Sequence, residues 1–209
     1  MFKMLKDKEF LKKFFKISFP VMIHSLLLFI VGFVDNLMVS SISNEAVSAV
    51  YAVTQATYIL MIAAYGVIIG AGVFIQQFNG AKDEGSLKQA FCYKIIIMLI
   101  FMAIFITLYY IFGHHLVYFY CHSDANSATI YELGKDYLYL IILSYIPFCL
   151  SIIYTTTVRE VGHTKYALYA GVAALIANII LNAIFIYGFN MGVVGAALGT
   201  VAARIIELF

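Results

Sequence analysis

The sequence predicts an all-α integral membrane protein, a bundle of six transmembrane helices with its N-terminus in the cytoplasm. Of its 209 residues, 64% are hydrophobic and only 11% are charged, whereas an average soluble domain is about 25% charged. The apolar residues form six segments long enough to cross a bilayer, and the polar residues concentrate between them. A soluble protein of this size could not cover so much apolar surface. The composition therefore predicts that a lipid bilayer is the solvent of this chain.

Six apolar segments define the predicted spans. A helix rises about 1.5 Å per residue, so about 20 apolar residues cross the hydrocarbon core. Long apolar runs such as residues 95–110 do not alternate with period two, which argues against a transmembrane β-barrel. After a cytoplasmic tail at residues 1–14, the spans are predicted at residues 15–40, 48–75, 91–112, 135–157, 165–187 and 192–209. Polar segments separate them at residues 41–45, 79–88, 114–132, 159–165 and 188–192.

The first span has an alternative interpretation as a secretory signal. It follows a lysine-rich start, and Ser41-Ile42-Ser43 has the small-x-small pattern of a cleavage site. Its apolar run, however, is longer than the roughly 7–15 residues of a signal core, and it contains Asp35. We therefore interpret the segment as a retained helix, and five spans would remain even if it were cleaved.

The distribution of basic residues predicts the orientation. If the helices alternate in direction, only Lys135 among the 13 lysines and arginines falls on the side opposite the N-terminus. Cytoplasmic loops carry an excess of lysine and arginine, so the N-terminal side is predicted to be cytoplasmic. The basic residues on that side are Lys3, Lys6, Lys8, Lys12, Lys13, Lys16, Lys82, Lys88, Lys94, Arg159, Lys165 and Arg204.

Polar residues in spans one, five and six form a candidate site. Asp35 lies within the first apolar segment, about 8 Å from its outer end by helical rise. Asn178 and Asn182 are spaced i, i+4 and share one face of span five, and Thr200 lies at a similar depth in span six. A carboxylate surrounded by amide and hydroxyl oxygens can hold a hard cation or take up a proton. In the alternative interpretation Asp35 snorkels to the interface or caps the helix, and the neutral polar residues only hydrogen-bond helices together.

Span two carries a polar and aromatic stripe. Its residues recur at helical spacing on one side, with mostly aliphatic residues elsewhere. Such a face could line a wet cavity and offer aromatic rings to an organic cation, or it could pack against a neighbouring helix. The stripe consists of Tyr51, Thr54, Gln55, Tyr58 and Tyr65.

Other small and polar residues indicate roles in helix packing rather than a metal site or a catalytic site. The pairs Gly66–Gly70 and Gly195–Gly199 permit close approach of helices. Histidines in the outer loop at residues 114–132 match no metal-ligand spacing, so no metal is predicted beyond a hard cation at Asp35. The chain also lacks a metalloprotease histidine pair, a phosphate-binding glycine loop and a nucleophile elbow, so an enzyme is not predicted.

The order and spacing of five short motifs resemble the N-terminal half of the multidrug and toxic compound extrusion (MATE) transporters. The resemblance covers nearly the whole chain. The first motif is Pro20 followed by Val34-Asp35-Asn36-Leu37-Met38-Val39, and the second is Gln77-x-x-Gly80-Ala81. The others are Arg159-x-x-Gly162-x-Thr164, Asn178-x-x-x-Asn182 and Gly195-Ala196-Ala197-Leu198-Gly199-Thr200.

This resemblance implies a secondary antiporter of the plasma membrane that expels organic, often cationic, compounds in exchange for sodium ions or protons. It implies that Asp35 is the titrating or ion-binding carboxylate and that Asn178, Asn182 and Thr200 supply neutral ligands. Tyr137, at the outer end of span four, is expected to join their hydrogen-bond network. Some relatives have an aspartate where Asn182 stands, so this chain carries one carboxylate and the coupling ion stays open. No cofactor besides the coupling ion is implied.

Members of the family have two six-helix lobes with the substrate cleft between them, whereas this chain corresponds to one lobe. The expected partners are therefore a second lobe or a self-associating copy, membrane lipid, and small organic cations or drugs, with no nucleic acid. Two alternatives stay open. One is a flippase of lipid-linked oligosaccharides from the same superfamily, and the other is a non-transporting fragment or assembly subunit.

Overall fold

A computed structural model describes residues 8–121 and 126–208, and every regular element in these residues is helical. This confirms the predicted all-α class. A π-helical segment, Ala183–Gly188, continues α5 directly. The six helices are α1 (Lys8–Ser40), α2 (Asn44–Ala81), α3 (Glu84–Cys121), α4 (Ser127–Glu160), α5 (Thr164–Asn182) and α6 (Gly192–Leu208).

Five helical segments of the described chain are long and apolar enough to cross a membrane. They are α1 to α4 and the combined segment from Thr164 to Gly188. The sixth predicted span corresponds to α6, which has 17 described residues and so lies at the short end of the range for a spanning helix. Large apolar side chains are exposed along every helix, as expected for a bundle surrounded by lipid.

Helices α1 to α4 are longer than the predicted spans. Helix α1 begins at Lys8, inside the predicted tail at residues 1–14, and α3 has 38 residues, about 57 Å by helical rise. The predicted outer loop at residues 114–132 is wrong for most of its length, because α3 continues to Cys121 and α4 begins at Ser127. Hydropathy detects the part of a helix that lies in hydrocarbon, whereas backbone hydrogen bonding continues into the polar interface.

Side-chain caps define the helix boundaries at two turns. The Ser43 side chain accepts a hydrogen bond from the Ala46 backbone N–H at the start of α2. Before α3, Asp83 accepts hydrogen bonds from the backbone N–H and the hydroxyl of Ser86, at 3.1 and 2.6 Å. Such bonds satisfy backbone donors that the first turn of a helix leaves unpaired. They also hold the pKa of Asp83 below its usual value.

Helices α2 and α4 form the centre of the bundle. Helix α2 packs against α3 and α4, α4 also packs against α6, and α1 packs chiefly against α5. One apolar cluster includes Val53, Leu138 and Ala197 and lies near the end where α1 finishes. A second cluster includes Ile68, Met98 and Ile153 from α2, α3 and α4, and lies nearer the other end. The peripheral position of α1 leaves Asp35 at an interface rather than in the centre of either cluster.

The two predicted glycine pairs differ in how closely other helices approach them. A Cβ atom on Gly195 or Gly199 would meet the end of α5 at 3.1 Å or less, so this pair does permit close helix packing. A Cβ atom on Gly66 or Gly70 would meet nothing within 4 Å among the described residues. The prediction of close packing at Gly66–Gly70 is therefore wrong within this lobe, because that face of α2 is exposed.

Candidate ion-binding site

Asp35 lies where α1 packs against α5, five residues before α1 ends at Ser40. Its Oδ1 atom accepts a hydrogen bond of 2.6 Å from Nδ2 of Asn182. Asn182 is fully buried, and Asp35 is half-buried. Because an isolated carboxylate is costly in a membrane, the bond both stabilises Asp35 inside the bundle and joins α1 to α5.

Asn178 lies one turn before Asn182 and is only 2% exposed. Its amide faces Asp35 closely enough to interact with the carboxylate, but without the geometry of a full hydrogen bond. Both amide atoms of Asn178 and Oδ1 of Asn182 are buried without a hydrogen-bond partner among the described residues. Buried polar atoms are nearly always satisfied by protein, water or a bound group. Asn178 lines a cavity beside Asp35 and can offer its unpaired atoms to a ligand there, whereas Oδ1 of Asn182 faces Gly199 on α6.

A cavity of about 160 Å³ lies beside these residues. Asp35, Asn178 and Thr200 line one part of it, and Arg204 lines another. The Thr200 hydroxyl donates a hydrogen bond of 3.0 Å to the backbone oxygen of Ala196. Because its proton is used in this bond, the Thr200 oxygen can act only as an acceptor toward the cavity. The structure thus brings the carboxylate, both asparagines and the threonine to one place.

The chemistry of this set follows from its atoms. Toward the cavity it offers the Asp35 carboxylate, the Asn178 amide oxygen and the Thr200 hydroxyl oxygen, which are the ligand types that hard cations prefer. The carboxylate could alternatively take a proton, since burial favours its neutral form. The set could also act only by joining helices, because the bond from Asn182 to Asp35 already does so.

Gly199 on α6 makes room for Asn182. A Cβ atom on Gly199 would overlap Oδ1 of Asn182, and it would lie 3.0 Å from Cγ and 3.1 Å from the backbone nitrogen of the same residue. Glycine is therefore the residue that lets α6 approach α5 at the level of the site. The sequence predicted a close approach of helices at Gly199, but not that Asn182 is the residue that Gly199 contacts.

Gly199→Ala should displace the Asn182 side chain and weaken the site. Overpacking of this kind costs about 1–3 kcal/mol, so we expect a loss of that size in the free energy of unfolding in detergent micelles. Gly66→Ala is the matched control, because its new methyl group would meet nothing within 4 Å. Equal stability of the two variants would contradict the contact between Gly199 and Asn182.

Tyr137 lies near this site. It is the eleventh residue of α4, because α4 begins at Ser127, eight residues before the predicted span. Its ring is buried in the apolar cluster around Leu138, and Tyr137 is close enough to Asp35 to interact with it electrostatically. Its hydroxyl makes no hydrogen bond to the Asp35 carboxylate. The expected hydrogen-bond network therefore does not include Tyr137 in this conformation.

The stripe on α2 is mostly on the surface of the lobe. Tyr51 and Tyr58 are 59% and 53% exposed, Thr54 is exposed and Gln55 is half-buried. Tyr65 departs from the others and lines a cavity beside α1. Tyr65 is half-buried, so the stripe presents chiefly Tyr51, Thr54 and Tyr58 to the surroundings of the lobe.

Three motif residues meet at the opposite end of the lobe from Asp35. Arg159, Gly162 and Thr164 line one cavity of about 570 Å³ between α1, α2 and the α4–α5 turn. Gly162 has a φ angle of +91°, a conformation that favours glycine. The motif therefore forms the sharp turn between α4 and α5 and directs Arg159 towards α1.

The remaining motif residues occupy the same end of the lobe. Pro20 is half-buried within α1 and lines a neighbouring cavity with Gly162 and Thr164. Gln77 and Gly80 are exposed in the last turns of α2. Neither Gln77 nor Gly80 contributes to the Asp35 cavity.

A buried ion pair was missed by the sequence analysis, which assigned Lys94 only to the inner side of the membrane. Lys94 is 0% exposed, and its ammonium contacts both carboxylate oxygens of Glu160 at 2.9 and 3.0 Å. It also donates to the hydroxyls of Thr156 and Thr157, at 2.9 and 3.0 Å. The available signal was a single lysine inside an apolar stretch, since a cation in that position needs a partner.

A second ionic group was also missed. Arg204 forms an ion pair of 2.7 Å with Glu207, both on α6. The Arg204 guanidinium also lies 5.0 Å from the centre of the Phe148 ring, within the range of a cation–π interaction. Glu207 is buried, although it lies inside the sixth predicted span, where no buried acid was predicted.

The outer-loop histidines are partly helical. His114 and His115 lie on α3, whereas His122 and Asp124 lie outside the described residues. Within the described part of the chain, no group of three or more histidine, cysteine, aspartate or glutamate side chains could hold a metal ion.

Comparison with known proteins finds relatives over most of the chain. A family model described as MatE matches residues 20–184. The multidrug export protein MepA of Staphylococcus saprophyticus subsp. saprophyticus is 27% identical over 190 residues, which cover 90% of this chain and 41% of that protein. MepA of Staphylococcus aureus (strain NCTC 8325) is 27% identical over 197 residues, which again cover 90% of this chain and 41% of that protein.

Solved structures share the fold. An outward-facing multidrug resistance MATE family transporter of the MOP superfamily has a TM-score of 0.83 and 22% identity, covering 94% of this chain and 43% of that one. A MOP superfamily transporter from Pyrococcus furiosus has a TM-score of 0.82 and 23% identity, with the same shares. The chain therefore spans about two fifths of the length of the relatives it matches, which corresponds to one lobe.

Proposed function

The chain belongs to the MATE family, and from that premise we propose that it is the N-terminal lobe of a secondary antiporter in the plasma membrane. The antiporter exports organic, often cationic, compounds in exchange for sodium ions or protons. Multidrug export is the activity named for the staphylococcal relatives. The observation that carries the proposal is the group of oxygens around Asp35, which joins a carboxylate to unpaired buried amides beside a small cavity.

Ion binding at Asp35 would act on the interface between α1 and α5. A sodium ion would be held by Asp35 with amide and hydroxyl oxygens, whereas a proton would neutralise the carboxylate and weaken its attraction to neighbouring cations. Either ion changes the bond from Asn182 to Asp35, and with it the relative free energies of two positions of α1. Differential affinity of the ion for two conformations is the requirement for coupled exchange.

The substrate cleft in this proposal borders the exposed stripe on α2. Tyr51 and Tyr58 offer aromatic faces, and Thr54 and Gln55 lie between them. Aromatic faces attract organic cations, particularly where water is excluded. Exclusion of water requires a second surface opposite the stripe, which a second lobe or another copy of the chain would supply.

Efflux of ethidium tests the proposal. Cells producing the native gene product should lose the dye faster than cells lacking it. Collapse of one ion gradient, with a protonophore or with a sodium ionophore, should remove the difference and identify the coupling ion. Equal efflux with and without the gene, or efflux insensitive to both ionophores, would contradict the proposal. Accumulation of a lipid-linked precursor in the deletion strain, with unchanged drug sensitivity, would instead favour a flippase.

A further inference from the structure

His24 is a buried imidazole on α1 that the proposed ion site does not use. The side chain is 4% exposed, and neither Nδ1 nor Nε2 has a hydrogen-bond partner among the described residues. Gly171 on α5 makes room for the ring, because a Cβ atom there would lie 3.0 Å from Cδ2 and 3.3 Å from Nε2. An imidazole buried without partners in a transmembrane helix needs an explanation.

Two adjoining cavities lie between His24 and the Asp35 site. His24 lines a cavity of about 70 Å³, and this cavity shares Leu28, Arg204 and Glu207 with the cavity of about 160 Å³ beside Asp35. A cavity holds a water molecule once it offers roughly 10–15 Å³ of accessible volume and two or more polar partners. Both cavities exceed that size and contain polar side chains, so hydrogen-bonded water can connect the two sites.

The His24 cavity has a second neighbour on the side away from Asp35. It shares Tyr65 and Arg159 with the cavity of about 570 Å³ formed by the α4–α5 turn. That turn lies at the end of the lobe that the distribution of lysine and arginine assigns to the cytoplasm. His24 therefore lies between the ion site and the cytoplasmic end of the bundle.

The spacing along α1 places the two residues on one face. His24 and Asp35 are 11 residues apart in an unbroken helix, which is about three turns and about 16 Å. Leu28 stands between them and lines both cavities. One side of α1 therefore presents the carboxylate and the imidazole to the same connected space.

Titratable groups on three helices surround His24. Glu207 and Arg204 on α6 and Arg159 on α4 interact electrostatically with the imidazole, and Tyr65 on α2 lines the same cavity. The α5 residue in contact with the ring, Gly171, carries no charge. Histidine is the side chain whose ordinary pKa lies closest to neutral pH, which lets it serve as a proton shuttle in proteins.

We propose that His24 is a proton relay between Asp35 and the cytoplasm, which makes this lobe proton-coupled. The inference rests on the proposed coupling role of Asp35. The protonated Asp35 carboxyl releases its proton to water in the adjoining cavity, and one ring nitrogen of His24 accepts it. The imidazolium then loses a proton from its other nitrogen to water on the cytoplasmic side. The carboxylate and the neutral imidazole are restored, so charge and protons balance.

Proton flux in proteoliposomes containing the native gene product tests the relay. A pH-sensitive dye inside the vesicles reports proton movement when a pH gradient and ethidium are applied. His24→Gln keeps a polar side chain of similar size, but the glutamine amide cannot take up a proton near neutral pH. We expect it to slow proton-coupled exchange about tenfold or more, since a positioned proton-transfer group contributes about 10²–10⁴-fold. Ethidium affinity and thermal stability should stay close to those of the unmodified protein.

Two further variants separate the relay from the proposed function. His115→Gln is the matched control, because His115 is exposed on α3 and should leave the flux unchanged. If His24→Gln retains full flux while Asp35→Asn has none, the relay is wrong and the role of Asp35 stands. If Asp35→Asn retains flux, Asp35 is not the coupling residue of the proposed function, and the relay fails with it. Ethidium exchange without any proton movement in the unmodified protein would also overturn the relay.

Discussion

Asp35→Asn should reduce gradient-driven ethidium export to the background rate of cells that lack the transporter. Asparagine keeps the size of the side chain and an oxygen that can accept the hydrogen bond now formed by Asn182. It can neither take up a proton near neutral pH nor offer a negative charge to sodium. The substitution therefore removes coupling while leaving packing between α1 and α5 nearly unchanged. Efflux assays at matched protein levels measure the effect.

The control for this variant is a carboxylate outside the site. Asp136 on α4 is exposed, and Asp136→Asn should export ethidium at the original rate. Thermal unfolding of purified Asp35→Asn should show a folded protein, so that lost transport is not confused with lost structure. Unimpaired efflux by a folded Asp35→Asn protein would remove Asp35 from the coupling role.

Lys94→Met should have the largest effect on stability. It would leave Glu160 buried without its ionic partner, and breaking one side of a buried ion pair costs about 3–5 kcal/mol. The loss of stability should be large because α2, α3 and α4 enclose the ion pair. Lys94 and Glu160 join α3 to α4, and Gly72 on α2 lies so close that a Cβ atom there would overlap the Glu160 carboxylate. Unfolding in mixed micelles measures the loss.

A double substitution tests whether this loss comes from the unpaired charge. Replacing both partners, as Lys94→Met with Glu160→Leu, removes both charges together, and such replacements are often neutral or stabilising. We expect the double variant to recover most of the stability that Lys94→Met loses. Lys88→Met is the matched control, because Lys88 is exposed on the same helix and should change stability by at most about 0.5 kcal/mol. Additive losses in the double variant would contradict the ion-pair explanation.

The residues of the candidate site could be predicted because their depth follows from helix length alone. Asp35, Asn178, Asn182 and Thr200 each lie within a few turns of a helix end, and the positions of those ends are evident in the hydropathy. Rise per residue then gives their level in the membrane. Helical periodicity also places Asn178 and Asn182 on one face. These local rules require no knowledge of which helices are neighbours.

The interactions that were missed depend on helix packing. Lys94 and Glu160 are 66 residues apart, and their contact requires α3 and α4 to be adjacent with particular faces turned together. The His24 ring fits against α5 where position 171 is glycine, and Tyr65 lines a cavity with residues of α1. Hydropathy reports whether a residue lies in a helix within the membrane, but it does not give the rotation of that helix or its neighbours.

Ion binding by the purified native gene product tests the central claim most directly. Equilibrium sodium binding and substrate-induced proton release should be measured side by side for the unmodified protein and for Asp35→Asn. The account predicts a single ion site in the unmodified protein, seen as bound sodium or as released proton, which Asp35→Asn removes. If sodium binding and proton release are the same in both proteins, the oxygens around Asp35 are not the site of ion coupling.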